Sequence, residues 1–234
     1  MGAAPEAADQ PRPNLMPTDT RQRPPSFDSA FREQLATLIR WRRDVRRFRL
    51  DPVAAELIER LLALAACAPS VGLSQPWRFV LIETPARRNA ISGNFARANK
   101  TALGGYAGER QARYARLKLE GLSQAPVHLA VCADETTSTG HGLGRQTMPE
   151  TLRYSVVAAI QTLWLAARAE GLGIGWVSIL DPEDIHRALD LPQHWTFIAY
   201  LCIGWPEEEH DDPELERHGW EARICGEAVT TLRR

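Results

Sequence analysis

The chain has 234 residues, of which 44% are hydrophobic, so it can bury a substantial core as one large domain or two small ones. Its formal net charge of −1 argues against a protein that coats nucleic acid or a membrane by bulk electrostatics. Any basic function must therefore be confined to a local cluster of residues.

The N-terminal 25 residues are rich in proline among small and charged residues, a composition that buries too little apolar surface to order itself. We expect a disordered arm over residues 1–25 and a single domain over residues 26–234. Glu6, Asp9 and Arg12 interrupt any apolar stretch of signal-peptide length. Later apolar runs are too short to cross a bilayer. We therefore expect a cytoplasmic protein with no membrane partner.

Two amphipathic helices are predicted next. Apolar residues recur at helical spacing after Phe27, with Ser26 or Asp28 as the cap, which predicts a helix that ends near Trp41. Asp51 and Pro52 have the pattern of a cap and a first-turn proline. They predict a second helix that ends before Pro69.

Strands and further helices follow without a strict βαβ alternation. Strands are predicted over residues 77–83, 127–133, 175–180 and 196–203. A long helix over residues 149–170 is apolar on most of its circumference, so we expect it to be central or at a dimer interface. Asp181 and Pro182 should open a short helix. This mixture of elements favours an α+β fold.

A polar stretch interrupts the core pattern at about residues 94–123. It contains Gly104, Gly105 and Gly108 and a strongly charged helical sequence, ERQARYARLKLE. Long polar insertions between core elements are often lids over a site. We therefore expect this segment to be a lid.

The most unusual local feature is the segment RWRRDVRRFR at residues 40–49, with six arginines around one carboxylate, Asp44. Arginine forks match phosphate oxygens in paired hydrogen bonds, so the cluster suits a phosphorylated small molecule. A solvated basic face and an RNA-binding patch are the alternatives. Asp44 could simply pair with a neighbouring arginine, or it could serve as a base beside a bound phosphate compound.

Two loops could contact a ligand. The sequence APSVGLSQPWRFV at residues 68–80 presents Ser and Gln side chains between a helix and a strand, although it could also be an ordinary turn. The sequence GLGIGWVSI at residues 171–179 lacks the GxGxxG spacing and the lysine of a nucleotide loop. Its glycines would let the backbone approach a ligand closely, and Ser178 would then place a hydroxyl there.

Other chemistries are disfavoured. The histidines show no HxxxH or HExxH spacing, so no metal is expected, and no GxSxG motif indicates a serine hydrolase. The cysteines show no CxxC spacing, and we expect them to be reduced and structural. They are Cys67, Cys132, Cys202 and Cys225.

The arginine segment, the loop PSVGLSQPWRF at residues 69–79, the long apolar helix and GLGIGW at residues 171–176 resemble the nitroreductase-like flavoprotein family in order and spacing. The resemblance covers about residues 27–206. It implies an α+β fold with a mixed or antiparallel central sheet flanked by helices. It also implies a homodimer with FMN at the interface, where both chains contact it.

Within this family, the chain is most similar to members that fragment reduced FMN with oxygen to 5,6-dimethylbenzimidazole and erythrose 4-phosphate for the lower ligand of cobalamin. The sequences that carry this likeness are RRDVRRF at residues 42–48, GYAGERQARYARLKLEGL at residues 105–122 and the stretch over residues 147–180. Other family members more often have a serine-bearing stretch where Asp44 stands.

The resemblance assigns roles to particular residues. Asp44 and Ser178 match the two polar residues that the reaction needs. Arg42, Arg43 and Arg46 would bind the phosphate and ribityl chain. The full set of expected FMN contacts is Arg42, Arg43, Asp44, Val45, Arg46, Ser70, Ser74, Gln75, Ser178 and Arg223.

The resemblance further implies that reduced FMN is the substrate, that molecular oxygen is the co-substrate and that no metal takes part. A separate NAD(P)H-dependent flavin reductase would supply the reduced flavin. One alternative is an NAD(P)H-dependent nitroreductase or flavin reductase on the same fold. A basic nucleic-acid-binding domain is an alternative from another class.

Overall fold

A computed structural model describes residues 24–118 and 121–224 of the chain. The arm expected over residues 1–25 lies almost entirely outside these residues, as does Cys225. The helices and strands, in chain order, are α1 (Ser29–Trp41), α2 (Ala55–Ala65), a 3₁₀ turn (Val71–Leu73), β1 (Trp77–Leu81), α3 (Pro85–Gly104), α4 (Gly108–Arg116), β2 (Val127–Asp134), α5 (Thr151–Ala169), β3 (Gly173–Val177), α6 (Pro182–Ala188), β4 (Trp195–Gly204) and α7 (Glu214–Arg217).

The sheet has four strands in the order β1-β2-β4-β3, and each neighbouring pair is antiparallel. Successive residues of β2 alternate between its two faces, as the pleat requires. Leu129 and Val131 pack with Leu163 on the side of α2 and α5, whereas Ala130 and Cys132 pack on the side of α3 and α6. The domain therefore has three layers, and the predicted α+β fold with an antiparallel sheet is confirmed.

Capping explains where two predicted helices begin. The Asp28 carboxylate accepts a hydrogen bond from the Phe31 amide at 2.8 Å at the start of α1. Asp181 accepts from the amides of Glu183 and Asp184 at the start of α6. Each carboxylate satisfies amides that have no partner within the helix. Both helix starts are confirmed.

The predicted start of α2 at Asp51 and Pro52 is wrong. The helix begins at Ala55 with no side-chain cap, and Asp51 instead forms an ion pair with Arg49 at 3.3 Å. The Trp205 indole donates to the Pro52 carbonyl at 3.2 Å, which holds this stretch extended before the helix. A tertiary contact overrides the local helix signal here.

The polar stretch at residues 94–123 does not begin as a separate segment. Residue 94 lies in the middle of α3, and the buried Asn94 side chain exchanges hydrogen bonds of 3.0 and 2.8 Å with the backbone of Asp181. These bonds fix α3 to the start of α6. The part of the stretch that could move independently therefore begins near Gly105. No helix in the described ranges is long and apolar enough to span a membrane.

Candidate functional site

The arginine segment runs beside the outer edge of β3. Asp44 forms a parallel bridge with Ile174, and the Val45 amide donates to the Ile174 carbonyl at 3.0 Å. The Trp176 amide donates to Asp44 Oδ1 at 2.8 Å. These bonds cover the edge of the sheet and fix the backbone of the arginine segment against β3.

The glycines of β3 are explained by this packing. A Cβ on Gly175 would lie 2.1 Å from the Val45 carbonyl oxygen, and a Cβ on Gly173 would lie 2.6 Å from a Val45 methyl group. Only glycine leaves room for the arginine segment at this distance. The close approach explained by these glycines is that of Val45 of the same chain, and the expected approach to a ligand stays a prediction.

Arg42 and Arg43 are held from α5. The Arg42 guanidinium lies 4.8 Å from the ring centroid of Trp164, a cation–π distance. The Trp164 indole donates to the Arg43 carbonyl at 3.1 Å. Sequence reasoning missed Trp164. The sequence feature that could have revealed it is an aromatic side chain with an indole N–H in a helix otherwise rich in alanine, leucine and valine.

The positive charge of Arg223 acts on both Arg42 and Arg43. Burial lowers the pKa of Arg43, and the nearby positive charges of Arg223 and Arg42 lower that pKa further. The pKa of Arg42 is lowered mainly by burial, while Asp44 opposes the shift and Arg223 adds to it. Within the described residues the buried Nε of Arg43 has no hydrogen-bond partner. This convergence of positive charge with an unused donor suits an anion.

Asp44 and Arg46 form a pair in the middle of the segment. Arg46 Nε donates to Asp44 Oδ2 at 3.0 Å, and the Arg46 side chain is only 11% exposed. Arg46 Nη1 also donates to the Lys118 carbonyl at 3.2 Å. Both oxygens of Asp44 thus accept a hydrogen bond within the chain. Since these arginines are partly buried and bonded, the alternative of a solvated basic face is wrong.

A cavity of about 170 Å³ opens between the arginine segment, α5 and the chain after β4. Arg168 of α5 forms an ion pair with Glu209 at 2.8 Å at its rim. The Glu207 amide donates to the Arg47 carbonyl at 3.1 Å. The stretch after β4, which had no predicted structure, therefore forms one wall of the candidate site.

Ser70, Ser74 and Gln75 lie in a strained loop before β1. Leu73 and Gln75 have φ values of 57° and 45°, which L-residues rarely adopt. The Ser70 hydroxyl accepts from the Gln75 amide at 3.1 Å. Ser74 is 3% exposed, and its hydroxyl has no hydrogen-bond partner among the described residues.

A second loop supports this one from behind. A Cβ on Gly140 would lie 2.2 Å from the Gly72 carbonyl oxygen, and a Cβ on Gly72 would lie 2.6 Å from the Leu143 carbonyl oxygen. Gly140, His141 and Gly142 have φ values of 80°, 52° and 77°. Sequence reasoning did not connect these loops, because their contact depends on the tertiary fold.

The predicted site residues fall into two groups at opposite edges of the sheet. Arg42 to Arg46 lie at β3 and Ser70 to Gln75 precede β1, with β2 and β4 between them. The strand spacing places these edges about 14 Å apart. Ser178 was predicted to lie within a strand over residues 175–180, but it is exposed and directly follows β3. It therefore belongs with the arginine group. One chain therefore places one group of predicted site residues at each edge of the sheet and does not bring the two groups together.

The histidines and cysteines are not arranged for metal chemistry. The described residues contain no group of three or more potential metal ligands. Cys132 and Cys202 are buried, and burial raises the pKa of the Cys132 thiol to about 12. Cys67 is exposed at the end of α2, so a buried structural role does not apply to it.

The chain belongs to the nitroreductase family, whose sequence pattern matches residues 39–205. It is 62% identical over 199 residues to a 5,6-dimethylbenzimidazole synthase of Rhodospirillum rubrum, a match that covers 85% of this chain and 94% of that protein. It is 49% identical, over 85% of this chain and 96% of the relative, to a protein of the same name from Rhodobacter capsulatus.

A more distant relative has a different name. An NADH dehydrogenase of Thermus thermophilus is 30% identical over 72% of this chain and 84% of its own length. The fold is also that of iodotyrosine deiodinase, solved in its oxidised form with FMN and 3-iodo-L-tyrosine. That structure superposes with a TM-score of 0.68 at 23% identity and covers 86% of this chain and 99% of the deiodinase.

Proposed function

We propose that this protein catalyses the oxygen-dependent fragmentation of reduced FMN to 5,6-dimethylbenzimidazole and erythrose 4-phosphate, which supplies the lower ligand of cobalamin. The observation that carries the proposal is the 62% identity to a protein named for the synthesis of this benzimidazole. That match spans 85% of this chain and 94% of the relative.

The donors present in the chain fit FMN. Arg42, Arg43 and Arg223 place three positive charges together, and the unused Nε of Arg43 is a buried donor. Guanidinium groups bind phosphate oxygens through paired, charge-assisted hydrogen bonds. The hydroxyl of Ser74 is a second buried group without a described partner. We assign the arginines to the phosphate and the Ser70–Gln75 loop to the isoalloxazine ring.

The working unit is a homodimer, because the two groups of site residues lie at opposite edges of one sheet. Two chains related by a twofold axis can each add their loop to the other's arginine segment. Large apolar side chains are exposed on α1 and α5, as an unpaired interface would leave them. They include Phe31, Leu35, Ile39, Tyr154 and Val157.

Asp44 and Ser178 are the proposed catalytic residues. The Asp44 carboxylate accepts one hydrogen bond on each oxygen, and a carboxylate can accept about four in all, so it keeps acceptor sites for a group on the substrate. Its backbone is fixed by the bridge to Ile174, which keeps it in place as a base. Ser178 is exposed beside the same edge and would donate a hydrogen bond to the reacting edge of the ring.

Reduced FMN, when bound, supplies the carbon atoms of the product and the electrons that reduce oxygen. In the proposed reaction, C1′ of the ribityl chain becomes C2 of the benzimidazole. A separate NAD(P)H-dependent reductase delivers the flavin in reduced form. The segment around α4, residues 106–118 (the α4 segment), would exclude water from the closed site.

The test is to mix photoreduced FMN, protein and air and to identify the organic product by mass. We expect 5,6-dimethylbenzimidazole from the wild type and none from Asp44→Asn, which should still bind FMN. Asn can accept the Trp176 N–H bond, so the fold should persist. Asp51→Asn is the matched control, since Asp51 is exposed and its carboxylate pairs with Arg49 and not with Arg46 or Trp176. Full product formation by Asp44→Asn would remove Asp44 from the reaction.

A second candidate function is an NAD(P)H-dependent flavin or nitro reductase, which the relative named NADH dehydrogenase favours. Incubation of the protein with FMN and NADH distinguishes the two. The proposed function predicts no consumption of NADH unless a reductase is added. Rapid NADH oxidation by the protein alone would support the second candidate.

A further inference from the structure

The chain after β4 makes an aromatic contact with the segment around α4. The Trp220 ring lies edge-on to Tyr106 at a centroid distance of 5.5 Å and to Tyr114 at 6.0 Å. Tyr106 and Tyr114 are themselves 4.9 Å apart. Such ring pairs are each worth about 0.5–1.5 kcal/mol beyond the area they bury. Trp220 therefore links two parts of the chain that are distant in sequence.

The local structure fixes the position of Trp220. Gly219 follows α7 with φ of 65°, its amide donates to the Glu216 carbonyl at 2.9 Å, and the Trp220 amide donates to the Leu215 carbonyl at 2.8 Å. These bonds form a Schellman motif, which needs a residue that tolerates positive φ. Arg113 of α4 donates to the Gly219 carbonyl at 3.1 Å. The indole is thus presented to α4 by a rigid turn.

The same stretch of chain reaches the arginines proposed to bind phosphate. Arg223 follows Trp220 closely, within about 10 Å of extended chain. Its charge acts on both Arg42 and Arg43. On the other side of α7, the Asp211 carbonyl accepts a hydrogen bond from Arg43. Trp220 therefore lies between a hydrogen bond to Arg43 on one side and, on the other, an arginine whose charge repels Arg42 and Arg43.

The α4 segment has few other attachments. Its buried residue is Tyr114, whose hydroxyl donates to Asn99 of α3 at 2.8 Å. After the helix, the Lys118 carbonyl accepts from Arg46. A short polar helix held by few buried contacts opens at low free-energy cost. Loss of the Trp220 contact should therefore loosen α4 without unfolding the sheet.

We propose that Trp220 is a positioning residue that couples phosphate binding at Arg42, Arg43 and Arg223 to closure of the α4 segment. This inference rests on the proposed FMN site but not on the proposed reaction. An anion relieves the repulsion among the three guanidinium groups and fixes Arg223, which adds to the turn at Gly219 in keeping Trp220 against Tyr106 and Tyr114. The phosphate then selects FMN over riboflavin by closing the site, in addition to any gain in affinity.

The test is amide hydrogen exchange of residues 106–118 in the full-length protein, with saturating oxidised FMN, saturating riboflavin, or riboflavin plus inorganic phosphate. We expect FMN to slow exchange in α4 about tenfold more than riboflavin does, and inorganic phosphate to restore part of the difference. Trp220→Ala should abolish the difference between the two flavins. Trp220→Phe, which keeps an edge-on ring, should retain most of it.

Exchange in β2 and β4 is the internal control for the fold and should be the same in all variants. Equal protection of α4 by FMN and riboflavin in the wild type would overturn the proposal. A flavin difference that persists in Trp220→Ala would also overturn it. Because the flavin is oxidised and no product is formed, these results do not depend on whether the protein makes a benzimidazole.

Discussion

The two halves of the candidate site are built in opposite ways. The arginine segment is held by the rest of its own chain, through Ile174, Trp176 and the indole of Trp164. The Ser70–Gln75 loop is held by strained backbone, with positive φ at Leu73 and Gln75. The first half is fixed by contacts within its own chain, whereas the second depends on an unusual backbone conformation.

This difference follows from where each half lies on the sheet. The arginine segment covers the edge of β3, so its backbone is bonded to that strand within the chain. The loop lies where the chain enters β1 at the opposite edge, and it leaves Leu73 and Gln75 exposed. Since β2 and β4 keep the halves apart, the proposed homodimer would pair each half with the other half from a second copy of the chain.

Mixing two inactive variants tests this arrangement most directly. Arg42→Ala with Arg43→Ala should destroy the arginine half, and Gln75→Trp should fill the space at the loop half. A random mixture gives mixed dimers as about half of the population, each with one intact site of two. Product formation should therefore recover to about a quarter of the wild-type rate.

The mixture must be formed by unfolding and refolding the two variants together, and each variant must remain dimeric by size-exclusion chromatography. Refolding each variant alone is the control and should give almost no product. If both halves of the site came from one chain, the mixed sample would be no more active than the separate variants.

The second prediction breaks only the arginine half. Arg42→Ala should weaken FMN binding about 30-fold, because a charge-assisted pair of hydrogen bonds is lost. Riboflavin binding should change little, since it has no phosphate. The measurement is titration with each flavin by fluorescence. Arg40→Ala, an exposed arginine at the end of α1, is the matched control and should bind FMN normally. An equal loss for both flavins would contradict the assignment of Arg42 to the phosphate.

The sequence predicted those features that depend on local signals. The cap at Asp28, the apolar surface of α5 and the cluster of arginines each reside in a short stretch, and each was placed correctly. Arginine chemistry alone indicated an anion, before any family likeness was considered. The resemblance then added the flavin and the role of the distant Ser70–Gln75 loop.

What the sequence could not predict depends on contacts between distant residues. Gly173 and Gly175 are glycines because Val45 packs on them, which no local pattern reveals. The helix signal at Asp51 failed because Trp205 holds Pro52 in an extended stretch. The stretch from residue 94 looked separate because the partner of Asn94, the backbone of Asp181, lies far along the chain.

The third prediction sharpens the comparison at the loop half. Gly140→Ala should lower the free energy of unfolding by about 3 kcal/mol, because the added methyl group meets the Gly72 carbonyl in a left-handed backbone. Gly108→Ala is the matched control. Gly108 has a similar φ of 58° but nothing within 4 Å, so about 1 kcal/mol is expected. Urea denaturation measures both, and equal losses would show that the two loops do not support each other.

The smallest expected effect is on the stability of β2 and β4, the strands that lie between the two halves of the site. His128 of β2 bonds through Nδ1 to the Tyr200 hydroxyl of β4 at 2.9 Å, and burial, aided by the charge of Arg88, lowers its pKa to about 4 from 6.5. The unfolded chain therefore binds this proton more readily than the folded chain does. Stability should fall as the pH drops below 6.5 and continue to fall until about pH 4.

Between pH 6.5 and about pH 5.5, this one group should cost about 1 kcal/mol of unfolding free energy. His128→Gln keeps a hydrogen-bonding side chain beside Tyr200 but cannot titrate, so its stability should fall by that much less over the same range. Urea denaturation at the two pH values measures the difference, which cancels the titration of the other histidines. Because His128 lies in β2, between the two halves of the site, acid should weaken FMN binding and dimer formation together with the fold. An unchanged pH dependence in His128→Gln would mean that His128 does not carry this proton. If acid unfolded the arginine segment and the Ser70–Gln75 loop at different pH values, the central strands would not couple the two edges of the sheet.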